Sequence, residues 1–203
     1  MSTHPPPAPA SASQRARRLV RTALLFYGLL LGVALAWRGG LAGESLLYAH
    51  PRGRAAGLDP LSDAALGAAA AAAVIALSWL WTSGSAWGER LARALAGLVG
   101  RPALGEIAVL ALASGVGEEA FFRGALQPRV GLVAASLVFG LAHFVPRREF
   151  LPWTAFSVAA GFLLGALFEA TGNLVAPVVT HALVNGVNLT LLTRRYVPQE
   201  DRF

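Results

Sequence analysis

Gly117-Glu118-Glu119-Ala120-Phe121-Phe122-Arg123-Gly124 sets two carboxylates and a guanidinium inside a segment that otherwise reads as membrane helix. Residues 103–117 hold one charge, Glu106, and residues 130–146 hold none. An ionised side chain near a bilayer centre costs about 2.5–3.5 kcal/mol on insertion scales. Three between positions 118 and 123 mark a functional site rather than decoration, and their partners must come from elsewhere in the chain.

The composition around this stretch agrees. The 203 residues suit one domain. Only 14% are charged and 55% are hydrophobic, against about 25% charged in a soluble domain, so the class is a multispanning membrane protein. The net charge of +6 rests on arginine alone, because there is no lysine. The arginines sit at the ends of apolar runs, where they set topology and anchor the interface, and nucleic-acid binding is set aside. Without cysteine there is no disulfide, thiolate nucleophile or thiolate metal site.

Residues 1–18 open on a Pro/Ala/Ser-rich run and are expected to form a disordered tail. Residues 19–195 are expected to form a single membrane-embedded domain. Its first span runs from about Thr22 to Trp37. Four preceding arginines and Ala34-Leu35-Ala36 also fit a signal peptide, but further spans follow and a retained helix is the reading taken. Ser62 or Asp63 is expected to cap a second helix that ends near Trp81, where Trp79, Trp81 and Trp87 read as an interfacial belt. Residues 87–100 place Glu89, Arg90 and Arg93 among Leu91, Leu95 and Leu98, the spacing of an interfacial amphipathic helix. The third span runs from about Ala103 to Gln127 and is broken by Pro128. The fourth covers about Val130–Val145 and the fifth about Leu151–Phe168. A turn at Gly172-Asn173 leads to the sixth, about Leu174–Leu192. The expected fold is an all-α polytopic bundle of about six transmembrane helices plus the interfacial helix. An even count places both termini on one side. The loops there hold eleven arginines (15, 17, 18, 21, 90, 93, 101, 147, 148, 194, 195) against four opposite (38, 52, 54, 129), which favours cytoplasmic termini.

Further polar residues lie in apolar helix: His143, His181, Asn185 and Asn188. Asn185 follows His181 by four residues and shares its face. With the turn at Pro128, Glu118 and His143 lie roughly 15 and 22 Å from it, and His181 lies about 12 Å beyond Asn173, at the helical rise of ~1.5 Å per residue. Three helices thus bring Glu118, His143, His181 and Asn185 to overlapping depths, where buried polar groups need partners. Adjacent helical residues point about 100° apart. Glu119 and Arg123 form a favourable i,i+4 pair, which leaves Glu118 to face a cavity. A carboxylate beside imidazoles can activate water, and imidazole or carboxamide N–H groups can stabilise an oxyanion. Glu118, His143 and His181 also offer a His₂Glu zinc set with an open position. Both schemes stand on these residues. Glu106 and Glu169 read as interfacial, His4 and His50 as solvated. Ser114 with His143 lacks the orienting group of a serine hydrolase.

These residues carry a family resemblance. Glu118-Glu119 with Arg123, Phe139 to His143, and His181 to Asn185 match in order and spacing the Glu-Glu-x-x-x-Arg, Phe-x-x-x-His and His-x-x-x-Asn motifs of the CPBP intramembrane proteases. These are also called the Abi or type II CAAX prenyl endopeptidase family. The match covers about residues 103–192. The resemblance implies an intramembrane endopeptidase acting on a membrane-associated protein or peptide: a CAAX-type protein, a bacteriocin leader or a sorting signal. It implies that Glu118 and His143 activate water, that His181 and Asn185 form the oxyanion hole, and that Glu119 and Arg123 support them. It implies either a zinc enzyme or a metal-free, glutamate-dependent one. The location implied is a bacterial inner membrane, and the alternative is a non-catalytic immunity or scaffold protein on the same fold. Relatives that trim prenylated proteins have about eight spans and a cytosol-facing site. This chain counts six, with the Pro128 turn on the outer side.

Overall fold

The computed structural model describes residues 12–197. Helix α1 (Ala12–Ala34) continues as a π-helical turn over Leu35–Leu41. Of the tail expected over residues 1–18, residues 1–11 lie outside the described residues, whereas from Ala12 onward the chain is already helical. A short α2 (Pro51–Ala56) precedes α3 (Pro60–Gly84) and α4 (Ala86–Val99). Helix α5 (Leu104–Glu119) runs through a π-helical turn, Ala120–Leu126, into α6 (Gln127–Ala142). Helices α7 (Leu151–Thr171) and α8 (Val175–Arg195) complete the bundle. Among the described residues the β-structure is one isolated bridge, Tyr48 to Asn173.

Among the described residues five segments are long and apolar enough to cross a membrane: 16–41, 60–84, 104–142, 148–171 and 175–195. The third and fourth expected spans are the two legs of one 39-residue segment. The bend between them is at Gly131 (φ 82°, ψ 167°), not at Pro128 as the sequence leads one to expect. Pro128 is tolerated because it occupies the first turn of α6, directly after the π-helical turn has shifted the backbone ladder (Gln127 N–H bonds to Phe122 O). At a helix start a proline's missing N–H removes no bond. The φ/ψ of Gly131 is open essentially only to glycine.

The cap of α3 also differs from expectation. Asp59 Oδ1 accepts the Ser62 N–H at 3.2 Å, and Pro60 fills the first helical position. Asp63 instead accepts from Asn173 Nδ2 at 2.7 Å, tying α3 to the α7–α8 turn. Gly172 closes α7 in the left-handed conformation (φ 71°), so the expected turn is present. Helix α4, with 14 residues, is too short to span. It packs Leu91, Ala92 and Ala96 inward across the ends of α3, α7 and α8 and leaves Trp87 and Leu98 exposed.

The main packings are α3 on α8, α6 on α7, α5 on α8 and α1 on α5. Glycines let the backbones approach, as in membrane bundles generally. A Cβ on Gly161 would stand 2.9 Å from Ser136 O, and one on Gly115 would stand 3.1 Å from Ala182 N. The two ends of the bundle are distinct. One gathers Glu44 between Arg38 (3.0 Å) and Arg129 (3.1 Å), the Tyr48–Asn173 bridge, the Gly131 bend and the Gly172 turn. The other gathers α4, segment 143–150 and the end of α8, where Arg101 Nη2 donates to Val197 O at 2.8 Å.

Candidate active site

Moving the bend to Gly131 sets the level of the site. Glu118 lies thirteen residues before Gly131 and His143 twelve after, or about 20 and 18 Å at helical rise. The two side chains accordingly meet, with His143 Nε2 3.6 Å from Glu118 Oε2. His143 is the residue that closes α6, not a mid-helix residue. Its Nδ1 donates to Phe139 O at 2.8 Å. In the neutral ring that bond leaves the lone pair on Nε2, facing the carboxylate. Glu118 Oε2 is buried and has no hydrogen-bond partner among the described residues. At 3.6 Å the two acceptors are beyond direct hydrogen-bond range and both are open to a donor placed between them.

Glu119 points elsewhere. Its Oε1 accepts from Arg123 Nη1 at 3.0 Å and from His181 Nδ1 at 2.7 Å. Arg123 is 1% exposed and Glu119 0%. Arg123 Nη2 also donates to Gly161 O at 3.1 Å, and its guanidinium lies 4.3 Å from the Phe139 ring centre. Phe139 therefore touches most of the site. Arg123 covers it, and the rings of His143 and His181 stand 4.7 and 6.0 Å away. This gives the Phe-x-x-x-His spacing a physical reason: one helical turn sets the ring against the imidazole, tilted by 46°, while its face meets Arg123.

The pairing expected from sequence, Glu119 with Arg123 and Glu118 with His143, is present. His181 is additionally anchored to Glu119 through Nδ1, which leaves Nε2 for the cavity. Asn185 Nδ2 donates to Ser114 Oγ at 2.9 Å, and Ser114 donates to Ala111 O at 3.1 Å. These are two rungs between antiparallel α5 and α8, Glu119–His181 and Ser114–Asn185, and they assign Ser114 to holding Asn185. Asn188 turns away toward α3, where its Oδ1 accepts from Ser78 Oγ at 3.3 Å. Glu106 accepts the Ala103 N–H at 2.8 Å and caps α5.

Glu118, His143, His181, Asn185 and Ser114 line one partly open cavity of about 280 Å³, whose other walls are largely apolar and include Trp153 and Phe156. Tyr27 of α1 also lines it. No motif marked Tyr27, because the first hundred residues carry none. Its place in the wall is set by the packing of α1 on α5.

A catalytic zinc ion takes three protein ligands. Among the described residues no three His, Asp or Glu side chains come together as such a set. Glu118 meets one imidazole, that of His143, rather than two. As arranged, Glu118, His143 and His181 do not form a three-ligand zinc set.

Fold and site together define a polytopic helical membrane protein with a buried glutamate–histidine cluster lining a partly open cavity. Residues 100–187, the segment that carries the site, match the Rce1-like type II CAAX prenyl endopeptidases. It is the family the three motifs resemble. Over 83 residues the chain is 41% identical to the uncharacterized protein YpbD of Bacillus subtilis. The aligned stretch covers 40% of this chain and 42% of that protein, so the chain spans less than half the length of this relative. No solved structure matches the chain.

Proposed function

We propose that the protein is an intramembrane endopeptidase that hydrolyses a peptide bond of a membrane-associated protein or peptide. The observation that carries this reading is the facing of His143 Nε2 and Glu118 Oε2 at 3.6 Å, with Glu118 Oε2 buried beside a cavity and without a hydrogen-bond partner among the described residues. Glu118 and His143 together hold a water. Glu118 accepts its proton as the oxygen attacks the scissile carbonyl carbon. The carbonyl π electrons move to oxygen. That oxyanion lies against the free N–H of Asn185 and, when the His181 ring carries both protons, against its Nε2–H. Collapse breaks the C–N bond, and the proton held by the Glu118–His143 pair passes to the leaving amine. Glu119 and Arg123 touch no reacting atom here; they fix His181. The reaction runs on the chain's own groups, so dialysis against a strong chelator is expected to leave cleavage intact.

The family match supports a protease, and the fivefold run of apolar helices supports a membrane-associated substrate. The test compares the proteomes of membranes from cells producing the wild-type chain, Glu118→Ala and His143→Ala. New protein termini are expected with the wild type alone, while all three chains insert in equal amount. Termini that persist in both variants would sink the reading. A cellular phenotype retained by Glu118→Gln would favour a non-catalytic scaffold.

A further inference from the structure

Tyr27 stands outside the matched segment, in a helix without any motif, yet it lines the cavity of the site. Its neighbours on α1, Leu24, Leu25, Phe26 and Leu29, are exposed at 45–68%, as a lipid-facing stripe would be. Tyr27 turns inward instead. The contact that fixes it is one residue from Glu118. A Cβ on Gly117 would stand 2.7 Å from Tyr27 O and 2.9 Å from Tyr27 Cβ, so only glycine lets α1 lie this close to α5. The Tyr27 ring packs edge-to-face on Phe26 at 5.3 Å, and Tyr27 lines the same cavity as Glu118.

Glu118 needs such a group. Its buried Oε2 has no donor among the described residues, and its close polar neighbour, His143, presents a lone pair when neutral. A buried carboxylate lacking donors is costly. The charged and titratable groups around Glu118 are Glu119 and Arg123 on its own segment, His143 on α6, His181 on α8 and Tyr27 on α1. Arg123 and His181 are both committed to Glu119. Tyr27 is the neutral O–H donor on the remaining side.

We propose that Tyr27 is a positioning residue for the Glu118 carboxylate: its phenol donates to the ionised form and holds it toward His143. The proposal rests on the reading of Glu118 as the base. It also accounts for the glycine at 117, since a side chain there would push the phenol away.

The test reads Glu118 directly and needs no substrate. The full chain is reconstituted in phosphatidylcholine vesicles and titrated by infrared spectroscopy, with the Glu118 carboxyl band identified as the one lost in Glu118→Gln. Losing a hydrogen bond to a charged group is worth about a tenfold change in the protonation equilibrium. Removing a donor disfavours the ionised form, so Tyr27→Phe is expected to raise the Glu118 midpoint by about one pH unit. Gly117→Ala, which keeps the phenol but displaces it, is expected to raise it in the same direction. An unchanged midpoint in Tyr27→Phe overturns the proposal. If Tyr27→Phe fails to fold, the Gly117→Ala titration decides alone. Where Glu118→Ala abolishes cleavage but Tyr27→Phe moves nothing, the positioning role falls and the protease reading stands. Where Tyr27→Phe moves the midpoint but Glu118→Ala still cleaves, the protease reading falls instead.

Discussion

Arg123 makes three contacts at once, and each fixes a different neighbour. Nη1 meets Glu119, Nη2 meets Gly161 O on α7, and the guanidinium plane covers Phe139 on α6. A planar fork can do this; an ammonium on a flexible stem cannot. Removing one member of a buried ion pair leaves the other desolvated and uncompensated, at a cost of about 3–5 kcal/mol. Arg123→Met is therefore expected to lower the thermal unfolding temperature in detergent sharply. Arg123→Lys should recover only part of it, because one ammonium cannot reach both Glu119 and Gly161 O. Wild-type stability in Arg123→Lys would show that the fork is unimportant. The Glu119–Arg123 pair was legible in the sequence because it is local: four residues on one helix and carboxylate first. The bond from His181 to Glu119 was not. It crosses 62 residues and depends on how far α8 slides along α5, which no single-helix pattern encodes.

The elements that bring these residues together are governed by glycine more than by proline. Pro128 looks like the break in the sequence, and the chain passes through it because the π-helical turn has already displaced the ladder. Gly131 makes the bend instead, and nothing in the sequence distinguishes it from the other glycines of the apolar runs. The consequence is functional, since the bend fixes the level at which His143 faces Glu118. Gly140 then lets α6 lie on α7: a Cβ there would overlap the Val158 side chain and stand 2.9 Å from Val158 Cα. Gly131→Ala would hold a side chain at φ 82°, ψ 167°, a strain of about 1–3 kcal/mol. The cheaper outcome is a shifted bend that carries His143 away from Glu118. Cleavage in that variant is expected to fall by at least the factor of about ten that 1.4 kcal/mol represents, with the protein still inserted and helical by circular dichroism. Full cleavage in Gly131→Ala would mean that the site tolerates a different bend.

At the scale of the whole molecule, the arginine count and the cavity point the same way. Loop 42–59, the Gly131 bend and the Gly172 turn share one end, held together by Glu44 with Arg38 and Arg129 and by the Tyr48–Asn173 bridge. The N-terminal part of α1, helix α4, segment 143–150 and the end of α8 share the other. Leu19, Val99, Trp153 and Leu189 extend the cavity wall toward this second, arginine-rich end. If positive charge stays inside, Glu118 and His143 are reached from the cytoplasm, although the Pro128 turn read from sequence lies outside. The absence of cysteine makes this directly measurable. Arg147→Cys would place one thiol on segment 143–150, at a position where the side chain is 63% exposed. Arg52→Cys would place one on exposed α2 at the opposite end. On intact spheroplasts a membrane-impermeant maleimide is expected to label Arg52→Cys at once and Arg147→Cys only after permeabilisation. The reverse pattern would turn the cavity outward and with it the substrate, which would then have to present its scissile bond from the external face.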